Sequence, residues 1–201
     1  MEKGLLYIFT GDGKGKTSAA LGVAMRMLLN QKKVVWISWY KSDDWDISEK
    51  KMAEVFKDQL QMFWAGKGFY IKDEAVTSRK KGLKMAKANK AVVVDYESEE
   101  GHKLAAKTAL KMLRCLFEDI RMGKKQVDLI IADEINQTIN DGLLSIDEVK
   151  AVLKNQSGAH VVLTGRQCHE EILAMADLVT EMTKIRHPFD VGVMAVKGLD
   201  F

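Results

Sequence analysis

The chain has 201 residues, of which 47% are hydrophobic, and its 31 basic and 28 acidic residues leave a net charge of +3. A chain of this length and composition can bury one good hydrophobic core, so we expect a single domain over residues 1–201. The near balance of charges argues against a protein that coats nucleic acid, and two cysteines are too few for a disulfide framework or a zinc site.

The N-terminus and the apolar runs bear on where the protein acts. The first apolar segment begins within a few residues of Met1, which leaves no room for a signal peptide. No apolar run is long enough to cross a membrane. We therefore expect a cytoplasmic protein that contacts neither membrane nor nucleic acid.

A glycine-rich segment follows the first apolar run, residues 5–9, and precedes a helical pattern that extends to about Asn30. It consists of Gly11, Asp12, Gly13, Lys14, Gly15, Lys16, Thr17 and Ser18. Glycines allow backbone N–H groups to converge on an anion, and the N-terminus of the following helix adds partial positive charge. We predict that the segment cradles a nucleoside triphosphate, with the Lys16 ammonium on phosphate oxygens and the Thr17 hydroxyl on Mg²⁺.

The spacing of this segment departs from the common phosphate-binding loop, G-x-x-x-x-G-K-[ST], because Thr10 stands where the first glycine belongs. The alternative is a surface turn that happens to be rich in glycine and lysine. Since an apolar strand, the loop and a helix follow one another in the required order, we favour the phosphate-binding interpretation.

Further apolar segments along the chain alternate with helical patterns. Strands are predicted at residues 34–39, 60–64, 127–132 and 160–164, and helices at 46–58, 99–122, 145–155 and 172–177. Asp46 is the expected N-cap of the first of these helices, and Ser145 with Glu148 forms a capping box at the third. Strands that are apolar throughout and separated by helices predict a doubly wound α/β fold with a mainly parallel sheet, of the P-loop NTPase type.

The stretch between residues 73 and 96 does not follow this alternation. Residues 73–90 have a helical composition and are strongly basic, with Arg79, Lys80, Lys81, Lys84, Lys87 and Lys90. A short apolar run at residues 91–94 follows them. The basic side chains form either a solvated helix face or a flap over an anionic ligand, and the sequence leaves both open.

Two carboxylates end the strand predicted at residues 127–132. Acidic side chains at the end of a strand beside a phosphate-binding loop hold or orient Mg²⁺ opposite the loop threonine. We therefore predict a metal-site role for at least one of Asp133 and Glu134, the alternative being solvated charges at a strand end.

The strand predicted at residues 160–164 is followed by a residue able to bind an anion. The guanidinium of Arg166 is expected at the ligand-binding edge of the sheet, where it suits a phosphate tail. Cys168 and His169 are a nucleophile and a base by type, but adjacent side chains seldom face one another, so we do not expect catalysis by this pair. We expect His169 in the first turn of the next helix as a polar or packing residue.

Several segments extend this pattern beyond a generic phosphate-binding loop. They are residues 10–17, 132–136, 163–166 and 176–182, Gly192 with Val193, and residues 197–201. Together they resemble the P-loop ATP:corrinoid adenosyltransferases. That family has one residue fewer between its first loop glycine and Gly-Lys-Thr, which accounts for Thr10, and it commonly has asparagine where this chain has Asp12.

The resemblance implies a particular reaction. Members bind MgATP, and a corrinoid whose cobalt has been reduced to the +1 state attacks the 5′ carbon of the ribose, so that inorganic triphosphate leaves. Lys16 and Arg166 would neutralise charge on the leaving triphosphate. Glu134 would be the first choice as Mg²⁺ ligand, with Asp133 in support. A homodimer is implied as well, and an electron-donor protein is a candidate partner.

The same resemblance assigns the corrinoid side of the site to an aromatic segment. Phe69 would crowd the lower face of the corrinoid and displace its axial ligand. Residues 72–96 look like a helical insertion, and depending on how that insertion is placed, Tyr96 competes with Phe69 for the role. Both aromatic residues could instead be ordinary core residues.

Two other functions share parts of the pattern. A P-loop kinase or NTPase acting on another acceptor would use the same loop and carboxylates but would release ADP and phosphate. A nucleotide-gated binding module would bind ATP without turnover and present the basic residues 79–90 to an acidic partner, with a steep dependence on salt.

Overall fold

The computed structural model describes residues 4–68 and 98–201. The strands are β1 Leu6–Thr10, β2 Val34–Ser38, β3 Leu60–Trp64, β4 Leu129–Asp133, β5 His160–Thr164 and β6 Leu178–Glu181. The α-helices are α1 Lys16–Leu29, α2 Lys50–Val55, α3 Glu99–Arg121, α4 Ile135–Asn140, α5 Ile146–Leu153 and α6 Glu170–Leu173, and a 3₁₀ turn covers Pro188–Val191. Within the described ranges, no helix combines the length and the apolar character that crossing a bilayer requires.

All six strands form one sheet in the order β3-β2-β4-β5-β1-β6, and every neighbouring pair is parallel. The predicted doubly wound α/β fold of P-loop NTPase type is therefore confirmed. Because the strands are parallel, the carboxyl ends of β1, β2, β4 and β5 lie at the same end of the sheet. Folds of this type bind ligands at that end. The predicted phosphate-binding loop, residues 11–17 and called the phosphate loop below, lies at this end of the sheet. So do the carboxylates of Asp133 and Glu134, and Arg166.

Two hydrophobic clusters cover the two faces of the sheet. Phe117 of α3 belongs to one cluster, and α1 packs with Trp36 of β2 in the other. Ile130 and Ile131 are consecutive residues of β4 and both are fully buried, one in each cluster. A strand with helices on both faces has no solvated side, which is why β4 is apolar without alternation.

The starts of two helices agree with the sequence. The Ser145 hydroxyl accepts a hydrogen bond from the Glu148 backbone N–H at 3.2 Å, and the Glu148 carboxylate accepts one from the Ser145 N–H at 2.9 Å, which confirms the capping box of α5. The Ser98 hydroxyl accepts from the Gly101 N–H at 3.0 Å and caps α3. The helices predicted at residues 99–122 and 145–155 are confirmed.

The helix predicted at residues 46–58 is wrong in its extent and in its cap. It begins only at Lys50, directly after Glu49. The side chain of Asp46 forms an ion pair with Lys197 of the C-terminal segment instead of capping a helix. Ile47 is buried, and this anchors the segment before α2 in a turn.

The last strands and helices differ most from the prediction. The helix expected at residues 172–177 is the shorter α6, because the Asp177 carboxylate accepts from the Leu6 N–H at 2.7 Å and the Asp177 N–H donates to the Leu6 carbonyl at 2.9 Å. These bonds place the chain beside β1, where β6 begins. β6, an edge strand whose residues are all exposed, was not predicted from the sequence, and neither was the short α4. Predictions for residues 73–90 and 91–94 lie outside the described residues.

Candidate functional site

The phosphate loop connects β1 to α1 and packs against the chain that follows β6. Gly11 and Gly15 have φ angles of 99° and 109°, in the left-handed region that favours glycine. A Cβ atom at Gly11 would lie 2.4 Å from the Met182 carbonyl oxygen, and one at Gly13 would lie 2.7 Å from it. The Gly13 N–H donates to that same oxygen at 2.7 Å. Glycines are therefore required here both for backbone conformation and for close approach.

Lys16 is the first residue of α1, and its side chain folds back over the loop. The residue is only 7% exposed, and its Nζ donates to the Gly13 carbonyl at 2.6 Å. Burial lowers the pKa of Lys16, while Glu134, Asp12 and Asp133 oppose that change and Arg166 adds to it. The Lys16 ammonium would therefore give up one hydrogen bond, the one to the Gly13 carbonyl, in order to bind a phosphate oxygen.

Asp133, the last residue of β4, is completely buried, and its carboxylate accepts three hydrogen bonds and forms one ion pair. Its Oδ1 accepts from the Thr17 hydroxyl at 3.1 Å and from the Thr164 hydroxyl at 2.7 Å. Its Oδ2 accepts from the Ser38 hydroxyl at 3.2 Å and lies 3.0 Å from the Lys41 ammonium. A carboxylate has about four lone-pair positions, so these donors satisfy Asp133 fully.

Lys41 supplies the cation that compensates this buried carboxylate. Its Nζ lies 3.0 Å from Asp133 Oδ2 and 3.0 Å from Glu49 Oε1. Burial disfavours the charged ammonium, but the attraction of Asp133 and Glu49 outweighs burial and raises the pKa of Lys41 above its usual value. The ion pair therefore joins the end of β4 to the residue that precedes α2.

Glu134 follows Asp133 but lies in a different environment. Its backbone has a φ of 65°, which is left-handed and uncommon outside glycine, and its N–H donates to the Thr164 hydroxyl at 2.9 Å. Burial and the neighbouring Asp133 raise the pKa of Glu134 to about 7, against the opposing charges of Lys16, Lys41 and Arg166. Among the described residues, none donates a hydrogen bond to its carboxylate.

The oxygen atoms of Thr17 and Glu134 are of the chemical type that binds a magnesium ion. The Thr17 hydroxyl, at the end of the phosphate loop, and the Glu134 carboxylate, directly after β4, are hard oxygen groups of the kind that Mg²⁺ prefers, and a cation would help to ionise Glu134. Asp133 has no spare lone pair, so its role would be to orient the Thr17 hydroxyl. In the described part of the chain no group of three His, Cys, Asp or Glu residues forms a metal centre, so a bound ion would need further oxygens from a nucleotide or from water.

Arg166 lies two residues beyond β5 and is exposed. Its charge helps to lower the pKa of Asp12 and of Lys16 and opposes the rise in the pKa of Glu134, so the guanidinium acts on the phosphate loop and on the carboxylate that follows β4. The structure therefore brings Arg166, Lys16, Thr17, Asp133 and Glu134 to one end of the sheet.

The remaining loop residues face outward. Asp12, Lys14 and Ser18 are exposed, and Lys14 forms an ion pair with Asp200 near the C-terminus. The Lys184 N–H donates to Asp12 Oδ1 at 3.1 Å and is the leading cause of its lowered pKa. The C-terminal segment thus contacts the phosphate loop from outside.

Cys168 and His169 are not arranged as a nucleophile and a base. Burial raises the pKa of the Cys168 thiol to about 12. His169 Nδ1 accepts from the Glu171 N–H at 3.2 Å, so the imidazole caps α6 and lies one position before the first turn in which we expected it. The Cys168 thiol is therefore held in its neutral form, and one ring nitrogen of His169 is engaged by α6.

Several residues of the site were missed from the sequence. Ser38 and Thr164 end apolar strands beside Asp133, a position at which polar side chains could have been noted. Lys41 and Asn140 lie in a loop and at the end of a short helix, and no pattern singles them out. Phe69, the predicted corrinoid contact, and its competitor Tyr96 lie outside the described residues.

Comparison with known proteins identifies similar chains over the full length. The family model described as ATP:corrinoid adenosyltransferase BtuR/CobO/CobP matches residues 2–201. Corrinoid adenosyltransferase CobA of Salmonella typhimurium (strain LT2) is 30% identical over 201 residues, which are 100% of this chain and 87% of that protein. The corrinoid adenosyltransferase of Escherichia coli (strain K12) is 27% identical, with the same coverage of both chains. That of Pseudomonas aeruginosa is 28% identical and is covered to 85%.

Proposed function

Because the chain belongs to the ATP:corrinoid adenosyltransferase family, whose members adenosylate corrinoids, we propose that MgATP is its adenosyl donor and intact triphosphate its product. The 5′-deoxyadenosyl group would pass to the reduced cobalt of a corrinoid substrate. The observation that carries the proposal is the convergence of Lys16, Arg166 and the start of α1 on one end of the sheet, at which Cys168 and His169 offer no nucleophile.

Positive charge at this end of the sheet would act on the leaving group. A kinase uses such a cradle to stabilise a phosphoryl group in transfer, whereas here the whole triphosphate departs and gathers negative charge. The Lys16 ammonium would leave the Gly13 carbonyl for a phosphate oxygen, and unpaired N–H groups in the first turn of α1 would donate to others. Arg166 would bind the same triphosphate from the carboxyl end of the neighbouring strand β5.

The carboxylates would hold and orient the metal of MgATP. Magnesium supplies positive charge to the phosphate oxygens when it is bound. Thr17 and Glu134 would be its protein ligands. Asp133 would orient the Thr17 hydroxyl through the hydrogen bond of 3.1 Å that this hydroxyl donates to it. Because the corrinoid substrate provides the nucleophile, the protein would contribute alignment and charge stabilisation rather than a general base.

The corrinoid side of the proposal depends on Phe69. An aromatic wall that displaces the axial ligand of the cobalt would make its reduction easier. Phe69→Ala should therefore slow turnover with a weak biological reductant much more than turnover of a corrinoid already reduced by a strong chemical agent. An equal loss under both conditions would indicate lost packing, and no loss under either would leave Tyr96 as the candidate.

Other properties stay predictions from the sequence and the resemblance. They are the single domain over residues 1–201 with an insertion at 72–96, the cytoplasmic location, the homodimer, the electron-donor protein and the absence of nucleic-acid binding. Native mass spectrometry and pull-down from a cell extract test the homodimer and the donor directly.

Anaerobic incubation tests the proposed function. The protein is mixed with ATP, Mg²⁺ and a corrinoid that has been chemically reduced, and the visible spectrum is followed. We expect a light-sensitive adenosylated corrinoid that forms only when all components are present. ATP consumption without any change in the corrinoid spectrum would instead support a kinase or NTPase.

A further inference from the structure

The segment between β5 and α6 holds Arg166 in an unusual backbone conformation. Gly165 has a φ of 129°, and Gln167 has a φ of 48°, which is left-handed although the residue is not glycine. A Cβ atom at Gly165 would lie 3.0 Å from the Asn136 Cβ and 3.0 Å from the Gln137 nitrogen. The segment therefore packs closely on α4, and other groups must stabilise its strained backbone.

Two side chains from other parts of the fold anchor this segment. The Asn140 Nδ2, at the last residue of α4, donates to the Arg166 carbonyl at 3.0 Å and to the Gln167 carbonyl at 2.9 Å. The Thr10 hydroxyl, at the end of β1, accepts from the Cys168 N–H at 3.1 Å. Arg166 thus lies between an anchor on the helix that follows the carboxylates and an anchor on the strand that precedes the phosphate loop.

We propose that Asn140 is a positioning residue that directs the Arg166 guanidinium toward the triphosphate, an inference that depends on the proposed function of Arg166. An exposed arginine has many rotamers, and only a fixed backbone limits the region that its guanidinium samples. The amide of Asn140 provides that constraint through two adjacent carbonyls. Its removal would lower the population of productive Arg166 conformers without removing the charge.

The bonds of Asn140 differ from those of comparable asparagines. Asn30 and Asn155 also follow or end helices, and each donates to the carbonyl one turn earlier, to Arg26 at 2.7 Å and to Ala151 at 2.7 Å. For Asn140 the equivalent bond, to Asn136, is long at 3.4 Å. Its shorter bonds leave the helix and reach the Arg166 segment, so helix termination does not account for them.

A double-mutant cycle tests the inference. Asn140→Ala, Arg166→Ala and the double variant are compared with wild type, and Asn155→Ala is the matched control, because it loses only a bond within its own helix. Asn140→Leu, which keeps a similar shape and loses the amide donor without adding a charge, is a second test variant. Calorimetry measures the affinity of each protein for inorganic triphosphate, and adenosylation assays give kcat and KM for ATP.

The cycle separates positioning from general loosening of the fold. We expect Arg166→Ala to weaken triphosphate binding by about 100-fold, and Asn140→Ala and Asn140→Leu to weaken it by about tenfold. Asn155→Ala should change it by less than about twofold. In Arg166→Ala the main-chain carbonyls that Asn140 binds remain, but no guanidinium is left to position. Asn140→Ala should therefore weaken binding by less than about a further twofold in this background.

Each contrary outcome overturns the inference. If Asn140→Ala binds triphosphate as tightly as Asn155→Ala does, Asn140 positions nothing. If it weakens binding equally with and without Arg166, it acts through the fold and not through the guanidinium. Failure to adenosylate would refute the proposed function. The double-mutant cycle could still be interpreted in that case, because triphosphate binding is measured without a corrinoid. If wild type does not bind triphosphate, both proposals are wrong.

Discussion

The inner and outer parts of the site are built differently. The inner part consists of Thr17, Ser38, Lys41, Asp133 and Thr164, in which a completely buried carboxylate has a donor for every lone pair. The outer part consists of Arg166 and the exposed face of the phosphate loop, with the C-terminal segment beside it.

The difference indicates a division of labour. Groups that must not move when ligands enter are fixed by buried hydrogen bonds, whose loss is costly. Groups that must meet charged substrates remain accessible to water, where their mutual interactions are weak. Substitutions in the inner part should therefore have much larger effects than matched substitutions in the outer part.

The largest contrast is expected between two lysines of the phosphate loop, of which Lys16 is buried beside the inner part and Lys14 is exposed in the outer part. Lys16→Ala should lower kcat for adenosylation by about 1000-fold or more, because the leaving triphosphate loses a buried ammonium. Lys14→Ala, in which an exposed ammonium is lost, should lower it by less than about tenfold. Steady-state kinetics at saturating ATP measure both. Near-normal turnover in Lys16→Ala would contradict the assignment of the leaving-group site.

The next contrast concerns two ion pairs of almost equal length. Lys41→Met leaves Asp133 buried without a cation and should lower the free energy of unfolding by about 3–5 kcal/mol. Lys184→Met breaks the exposed pair with Asp190, which is 3.1 Å long, and should cost about 0–1 kcal/mol. Urea denaturation of both variants measures the difference. Similar losses in the two variants would show that the inner part is not specially organised.

Glu134 links the two parts and predicts a pH dependence. With EDTA present, the pKa of its carboxyl is about 7 in the folded protein and near 4.5 in the unfolded chain. The folded state then binds the proton more tightly, so stability is lost as the pH rises from about 4.5 to 7. The side chain in Glu134→Gln does not titrate. The free energy of unfolding of this variant, relative to that of wild type, should therefore rise by about 1–3 kcal/mol between pH 4 and pH 8.

Denaturation of both proteins at the two pH values measures this gain. A constant difference between wild type and Glu134→Gln would show that the Glu134 carboxyl has an ordinary pKa. The same variant should need more Mg²⁺ for ATP binding, because it lacks the charged oxygen. An unchanged Mg²⁺ requirement would show that the Glu134 carboxylate does not bind the metal.

The smallest expected effect concerns the two cysteines. Cys115 is exposed, whereas Cys168 is partly buried and its thiol has a pKa of about 12. At pH 8, iodoacetamide should therefore label Cys168 at least about tenfold more slowly than Cys115, as followed by peptide mass spectrometry. Rapid labelling of Cys168 would reopen the possibility of a nucleophile beside Arg166.

The fold and the position of Asp133 and Glu134 at the end of a strand were predictable from the sequence because their signals are local. An apolar strand that ends in acidic residues, or in glycines followed by Lys16 and Thr17, is visible without any knowledge of packing. Lys41 and Asn140 could not be found in this way, since each is defined by partners far along the chain. The exposed β6 and the true start of α2 were missed for the same reason: Asp177 bonds to Leu6, and Asp46 pairs with Lys197.

The central claim is that this site releases triphosphate intact, and phosphorus NMR tests it most directly. ATP, Mg²⁺ and a reduced corrinoid are incubated anaerobically with the protein, and the phosphorus products are counted against the adenosylated corrinoid. We predict one inorganic triphosphate for each adenosylated corrinoid and no ADP. Formation of ADP and orthophosphate in place of triphosphate would contradict the account.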